Sequence, residues 1–307
     1  MGIEESIKKI EKVIARQVYE LDKLVNDEDW HVREAVAKQG YGLDKLVNDE
    51  DLRVRKAVAE QGYGLDILIN DEDRVIRAAV AEQGYGLDIL VNDKDWIVRK
   101  AVAEQCYKLD ELELDKLVND KEWPVREAVA KQGYGLDKLV YDEERLVRQA
   151  VAEQGYGLDI LVNDEEWPVR VVVAKQCYKL NKFELDKLIN DKDERVREAV
   201  AKQGYGLDKL VYDEYPLVRI AVAEQGYGLD ILVYDKTSWV REAVAKQGYG
   251  LDKLIKDPNP NVRMAAAEQK SKPDKNKDPF DKDEDKDKNK DFFDKSTPSG
   301  PNGHGAI

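Results

Sequence analysis

Residues 41–62 read Tyr-Gly-Leu-Asp-Lys-Leu-Val-Asn-Asp-Glu-Asp-Leu-Arg-Val-Arg-Lys-Ala-Val-Ala-Glu-Gln-Gly. From Tyr19 to Lys270 this unit recurs eleven times, nine times with 22 residues and twice with 27. A fixed period of this length marks an array in which each unit buries its apolar face only against its neighbours. Within the quoted unit, Val54, Ala57, Val58 and Gln61 fall on one side of a helix at 100° per residue. Asp51 is a good N-cap, so a helix is predicted over positions 12 to 20 counted from the Tyr. Proline agrees with that start: within the repeats Pro124, Pro168, Pro216, Pro258 and Pro260 sit around the first turn or just before it. Gly40, Gly62, Gly84 and their equivalents stand where a left-handed C-terminal cap is needed. A second, shorter turn covers positions 3 to 7, Leu43 to Val47 here, and is too short to be stable alone. The fold class predicted is all-α, an α-solenoid.

The long units are 107–133 and 178–204, each preceded by a Cys (Cys106, Cys177) where other units carry Gly. Each contains an extra segment, Lys-Leu-Asp-Glu-Leu or Lys-Leu-Asn-Lys-Phe, and the two recur 71 residues apart. Residues 107–177 and 178–248 thus read as duplicates of a three-unit block. Three repeats apart, the two Cys cannot pair within one chain; they are expected to adjust the cap before each long unit. Outside the array, residues 1–18 place Ile3, Ile7, Ile10, Val13 and Ile14 on one helical stripe, as expected of an N-terminal capping helix. Residues 271–307 are rich in Asp, Lys, Asn, Pro and Gly and read as a disordered charged tail. The domain reading is therefore 1–18 cap, 19–270 solenoid of eleven repeats, 271–307 tail.

Composition narrows the function. Of 307 residues 37% are charged, with 50 Lys and Arg against 64 Asp and Glu, a net charge of −14. Nucleic acid and anionic membrane surfaces are poor partners for such a balance. Two His and two Cys are too few for a zinc finger, a disulfide framework or an iron–sulfur cluster, which need about four clustered ligands. No apolar run approaches the ~18 residues of a membrane span, and residues 1–18 are too charged for a secretory signal. A soluble, cytoplasmic monomer is expected. There is no glycine-rich phosphate loop, no nucleophile with a His base and no carboxylate pair set apart from the repeating background. The sequence therefore supports neither an enzyme nor a cofactor or metal site. Asp281, Asp283 and Asp285 lack the Gly and Glu of a calcium loop, since Lys286 and Phe292 stand there. Met1 to Ser6 fits a myristoylation pattern, which matters only in a eukaryotic host.

The run Asp-x-x-x-x-Val-Arg-x-Ala-Val-Ala, as in Asp27 to Ala37, resembles HEAT-like repeats and more closely the leucine-rich repeat variant (LRV). That resemblance spans about 80% of the chain, residues 19–270. It implies a short 3₁₀ turn alternating with an α-helix, with that helix lining a concave side. An iron–sulfur domain accompanies at least one variant of this type; no Cys cluster exists here to hold one. In HEAT-like arrays an invariant Asp and Arg form an inter-repeat ladder. The matching residues here are Asp27, Asp49, Asp71, Asp93, Asp120, Asp142, Asp164, Asp191, Asp213, Asp235 and Asp257 at position 9. Their partners at position 15 are Arg33, Arg55, Arg77, Arg99, Arg126, Arg148, Arg170, Arg197, Arg219, Arg241 and Arg263. From the helix alone, each Arg lies about 100° round from the core-facing Val before it, at the seam, within reach of a neighbouring carboxylate or loop carbonyl. A structural role fits residues identical in every unit better than a phosphate track does.

Tyr at position 1 makes a stripe of eleven rings, each expected to plug the junction between units rather than to stack a base. Trp30, Trp96, Trp123 and Trp167 open the long helix and should pack partly against the preceding loop. Positions 13 and 16 vary widely and lie off the buried face. In the C-terminal half Leu217, Ile220, Trp239 and Met264 form an apolar run on successive units, and Ile97, Leu146 and Val171 extend the set of candidate contact residues; drift at unconstrained positions is the competing explanation. The favoured function is a non-enzymatic scaffold that binds a protein or peptide partner in the groove of the array. The alternative is an acidic DNA mimic, or decoy, presenting the carboxylates of positions 9 to 11 as a ridge to a DNA-binding protein.

Overall fold

A computed structural model describes residues 21–272. The capping helix expected over 1–18, the myristoylation pattern, Tyr19 and the tail from residue 273, with Asp281, Asp283 and Asp285, lie outside the described residues. Those described hold helices and turns and no strand. Eleven long helices, from Trp30–Lys38 to Pro260–Ser271, alternate with short ones such as Leu43–Leu46 and Leu65–Leu68. Each long helix packs on the next, and the short helix of a unit packs on the long helix that follows it. The molecule is an all-α repeat solenoid.

Local chemistry sets these boundaries. The Asp29, Asp51, Asp73, Asp95 and Asp193 side chains accept from the amide two residues on, as N-caps do. Units with Glu122, Glu144, Glu166, Tyr215 or Thr237 at that position make no side-chain cap bond. Their loops are held instead by the aspartate of position 9, which accepts from the amide of position 11 at 2.8–2.9 Å in every unit. At the other end Gly40 takes φ +72°. Its amide donates to Ala37 at 2.8 Å and the Tyr41 amide to Val36 at 3.3 Å, the paired bonds of a Schellman cap.

Three expectations are corrected. The short element is one turn of α-helix, with the Leu46 amide on Gly42 and Val47 on Leu43 at 2.9–3.0 Å. The described 3₁₀ turns are Cys106–Lys108 and Cys177–Lys179, at the inserts. There the added residues lengthen the short helix to two turns, Glu111–Val118 and Lys182–Ile189, each opened by a capping box. Second, the position-1 tyrosines do not plug the junctions. Tyr63, Tyr85, Tyr156, Tyr227 and Tyr249 are all more than two-fifths exposed, while Tyr41 and Tyr205 rest partly against the core. As the residue just after the left-handed cap, Tyr lies on the way out of the helix, not on its packed face. Third, position 21 is not buried. Gln61 is the helix C-cap and exposed, whereas Ala59, two residues earlier, is fully buried with Val54 and Val58.

The core is continuous and thin. In the nine interior units it is filled by Leu and Val or Ile of the short helix and by small aliphatic residues, mostly Val, Ala, Val and Ala, of the long one, as with Leu46, Val47, Val54, Ala57, Val58 and Ala59. Burying each Val or Leu contributes about 1.5–3 kcal/mol. Ala at two of these positions lets neighbouring helices approach closely.

Candidate functional site

Two features repeat along the array: a polar seam between units and a variable outer face on the long helices. In the seam, Arg33 donates from Nε to Asp49 Oδ2 at 2.7 Å and from Nη2 to Asp49 Oδ1 at 2.9 Å. The same two-pronged bond joins ten arginines, Arg33 to Arg241, to the position-9 aspartate of the following unit. Meanwhile Nη1 of each donates to the position-9 carbonyl of its own unit at 2.6–2.8 Å. One guanidinium therefore ties its own loop to the next. Arg263 keeps only the carbonyl bonds, to Asp257 and Pro258, and Asp27 has no arginine partner among the described residues.

This seam withdraws the position-9 carboxylates from solvent. Asp49 and Asp164 have side chains 6% and 4% exposed, so a phosphate-like ridge built on that position is not on the surface. Burial pushes the Asp49, Asp93 and Asp235 carboxyls up in pKa, but the arginine fork and a loop amide outweigh it and hold them below the ordinary value. The Arg241 fork does the same for Asp257. A carboxyl depressed in the folded state stabilises fully above its unfolded pKa, about 3.9, and that contribution is lost as pH falls through the lower folded value. Thermal stability is therefore expected to hold on acidification to about pH 4 and to drop below it. Circular dichroism melts at pH 7 and pH 3 check this; equal midpoints would contradict it.

A second tie, missed in the sequence because Gln at position 21 reads as a packing residue, also crosses the seam. Gln154 Nε2 donates to the Lys131 carbonyl at 2.9 Å, Gln225 to Lys202 and Gln247 to Glu224, satisfying a helix-end carbonyl of the preceding unit. The thiols of Cys106 and Cys177 are buried and donate to the carbonyls of Ala103 and Ala174. Burial pushes them up to about 12 and about 11, away from thiolate chemistry.

On the outer face, Leu217, Trp239 and Met264 are 51%, 63% and 69% exposed. Ile220, Ile97 and Val171 are half-buried against the core and Leu146 is half-buried. Ile220 and Trp239 come together: they line one groove between the helices Pro216–Glu224 and Ser238–Lys246, with Glu224, Glu242, Ala243 and Lys246. Val171 lines a different groove with Trp167, Lys175, Arg195 and Lys202. Leu217, Met264, Ile97 and Leu146 line neither groove. Trp30 and Trp167 are roofed by the guanidinium of the next unit, Arg53 at 3.7 Å and Arg195 at 3.6 Å from the ring centre. The signal for that pairing is an Arg at position 13 in the unit after a Trp at position 12.

No family model matches the chain, and no curated protein does. Among solved structures, one described as "a leucine-rich repeat variant with a novel repetitive protein structural motif" is 25% identical with a TM-score of 0.48, over 73% of this chain and 88% of that one. Independently of it, the units here each pair one short and one long helix and stack in sequence order. The chain is an all-α helical repeat protein. Among the described residues of this array no helix is long and apolar enough to cross a membrane.

Proposed function

We propose that the LRV-like array is a non-enzymatic scaffold that takes a protein or peptide segment across its long helices, with Ile220 and Trp239 as anchors. The observation that carries this is Trp239, 63% exposed beside Ile220 in an inter-helix groove. Packing gives no reason to leave an indole in water, and Trp beside a shallow apolar pocket is the usual anatomy of an interface hot spot. Arrays of stacked units supply such extended surfaces. The test is selection from a displayed random-peptide library on the purified chain. Substituting Ile220→Ser and Trp239→Ser together is expected to weaken the selected peptides by about tenfold or more, about 1.4 kcal/mol, with the melting temperature little altered. Undiminished binding by that folded double variant would defeat the proposal.

A further inference from the structure

We propose that two copies of this chain pair antiparallel through their inserts, residues 107–118 of each copy lying on residues 178–189 of the other. This goes beyond the groove reading, because it concerns the short-helix side of the array. It puts a two-fold dimer in place of the monomer expected from the sequence.

The inserts leave apolar groups in water that packing does not use. Leu114 and Leu117 of the first pack on the core, as do Leu185 and Leu188 of the second. Leu112 and Phe183, on the same two helices Glu111–Val118 and Lys182–Ile189, are both 69% exposed. Each has exposed company at matching places: Ile89 and Tyr107 with Leu112 and, 71 residues on, Ile160 and Tyr178 with Phe183. A single exposed apolar residue needs no explanation, but the same three in both blocks make two patches of one design.

Charge says what covers them. The inserts are duplicates, yet residues 107–118 hold two Lys against four Asp and Glu, a net of −2, while 178–189 hold three Lys against two acids, a net of +1. The change falls at the exposed edge, where Glu111 beside Leu112 is replaced by Lys182 beside Phe183. Neither has an ion-pair partner among the described residues. Lys182 stands in the first turn of its helix, where the helix dipole disfavours a cation, so local stability does not account for it. An acidic apolar patch and a basic apolar patch on one chain are complementary to each other.

Packed helices of successive units lie about 8–10 Å apart, so three units separate the two patches by about 24–30 Å. They cannot meet within one chain. Two copies related by a two-fold axis bring Leu112 of each onto Phe183 of the other, so both patches are covered at once and the assembly closes at two.

Sedimentation velocity of the full chain over a range of concentrations at physiological salt is expected to show monomer giving way to dimer and nothing larger. Glu111→Lys and Lys182→Glu each place like charges at both contacts and should weaken the dimer about tenfold or more. Mixed in equal amounts, these two variants bring opposite charges together again at both contacts and should dimerise like the parent chain. Leu112→Ser with Phe183→Ser should weaken the dimer as much, whereas Ile220→Ser with Trp239→Ser, in the separate groove, should leave it intact; circular dichroism checks that each variant is folded. A monomer throughout, larger assemblies, single charge variants that dimerise like the parent, an equal mixture that stays monomeric, or a dimer lost with Ile220 and Trp239 would each overturn the proposal.

Discussion

Replacing Arg148 with Ala is expected to lower the stability of the array by about 3–5 kcal/mol, the usual cost of removing one partner of a buried ion pair. Arg148 is mid-array, its side chain 10% exposed against 4% for Asp164. Its fork reaches Asp164 at 2.6 and 3.0 Å, and Nη1 reaches the carbonyls of Asp142 and Glu143 at 2.8 and 2.9 Å. The variant leaves the buried Asp164 carboxylate with the Glu166 amide as its remaining hydrogen bond and no paired cation, since the nearby Arg170 guanidinium is bonded to the Asp164 carbonyl and forked onto Asp191. Because the stability of a repeat array is close to a sum of unit and interface contributions, weakening one central interface should also split unfolding into two steps. Two controls separate this from a general loss of charge. Lys131, exposed and paired only with Glu127 within its helix, should tolerate Ala within about 0.5 kcal/mol. Arg263, exposed and with no aspartate to clamp, should cost much less than Arg148. Urea unfolding followed by circular dichroism reads all three, and equal midpoints for the Arg148 and Lys131 variants would refute the argument.

Gly206→Ala is expected to cost about 2–4 kcal/mol, through a left-handed backbone that penalises any Cβ by about 1–2 kcal/mol and a clash on top of it. At φ +60°, a Cβ on Gly206 would lie 2.6 Å from both Cδ1 and Cγ1 of Ile189, which is buried on the preceding short helix. Two residues earlier Gly204 has φ +80° but meets only Gln225 Oε1, at 3.7 Å. Gly204→Ala should therefore show the backbone cost alone, about 1–2 kcal/mol. The Gly206→Ala, Ile189→Ala double variant should cost less than the sum of the two single losses, since neighbouring sites are non-additive when they share a contact. Equal losses at the two glycines would show that the close approach to Ile189 carries no weight.

These two variants mark where reading the sequence succeeds and where it stops. The seam arginines stood out because they never change, and helical phase alone put them beside a neighbouring carboxylate or carbonyl. Helical phase does not say which; the carboxylate two-pronged and the carbonyl by the third nitrogen emerges only when units are stacked. Gln at position 21 failed for a related reason. Its phase matches the buried stripe, but the helix has ended by then, so the side chain turns to the preceding unit's last carbonyls. The tyrosine stripe misled because uniformity was read as burial, when a residue following a left-handed cap is uniform through its place in the turn.

By itself, the sequence determined the period, the two helices per unit, their caps and the residues that fill the core, because each depends on interactions within about five residues along the chain. What only the tertiary structure decided are contacts between residues about one unit apart: the Ile220–Trp239 groove, the roofing of Trp30 and Trp167 by Arg53 and Arg195, and the fit of Gly206 against Ile189. These depend on the rotation and offset between successive units. That geometry is set by how Val and Ala side chains interlock across the seam, and no single unit's sequence contains it.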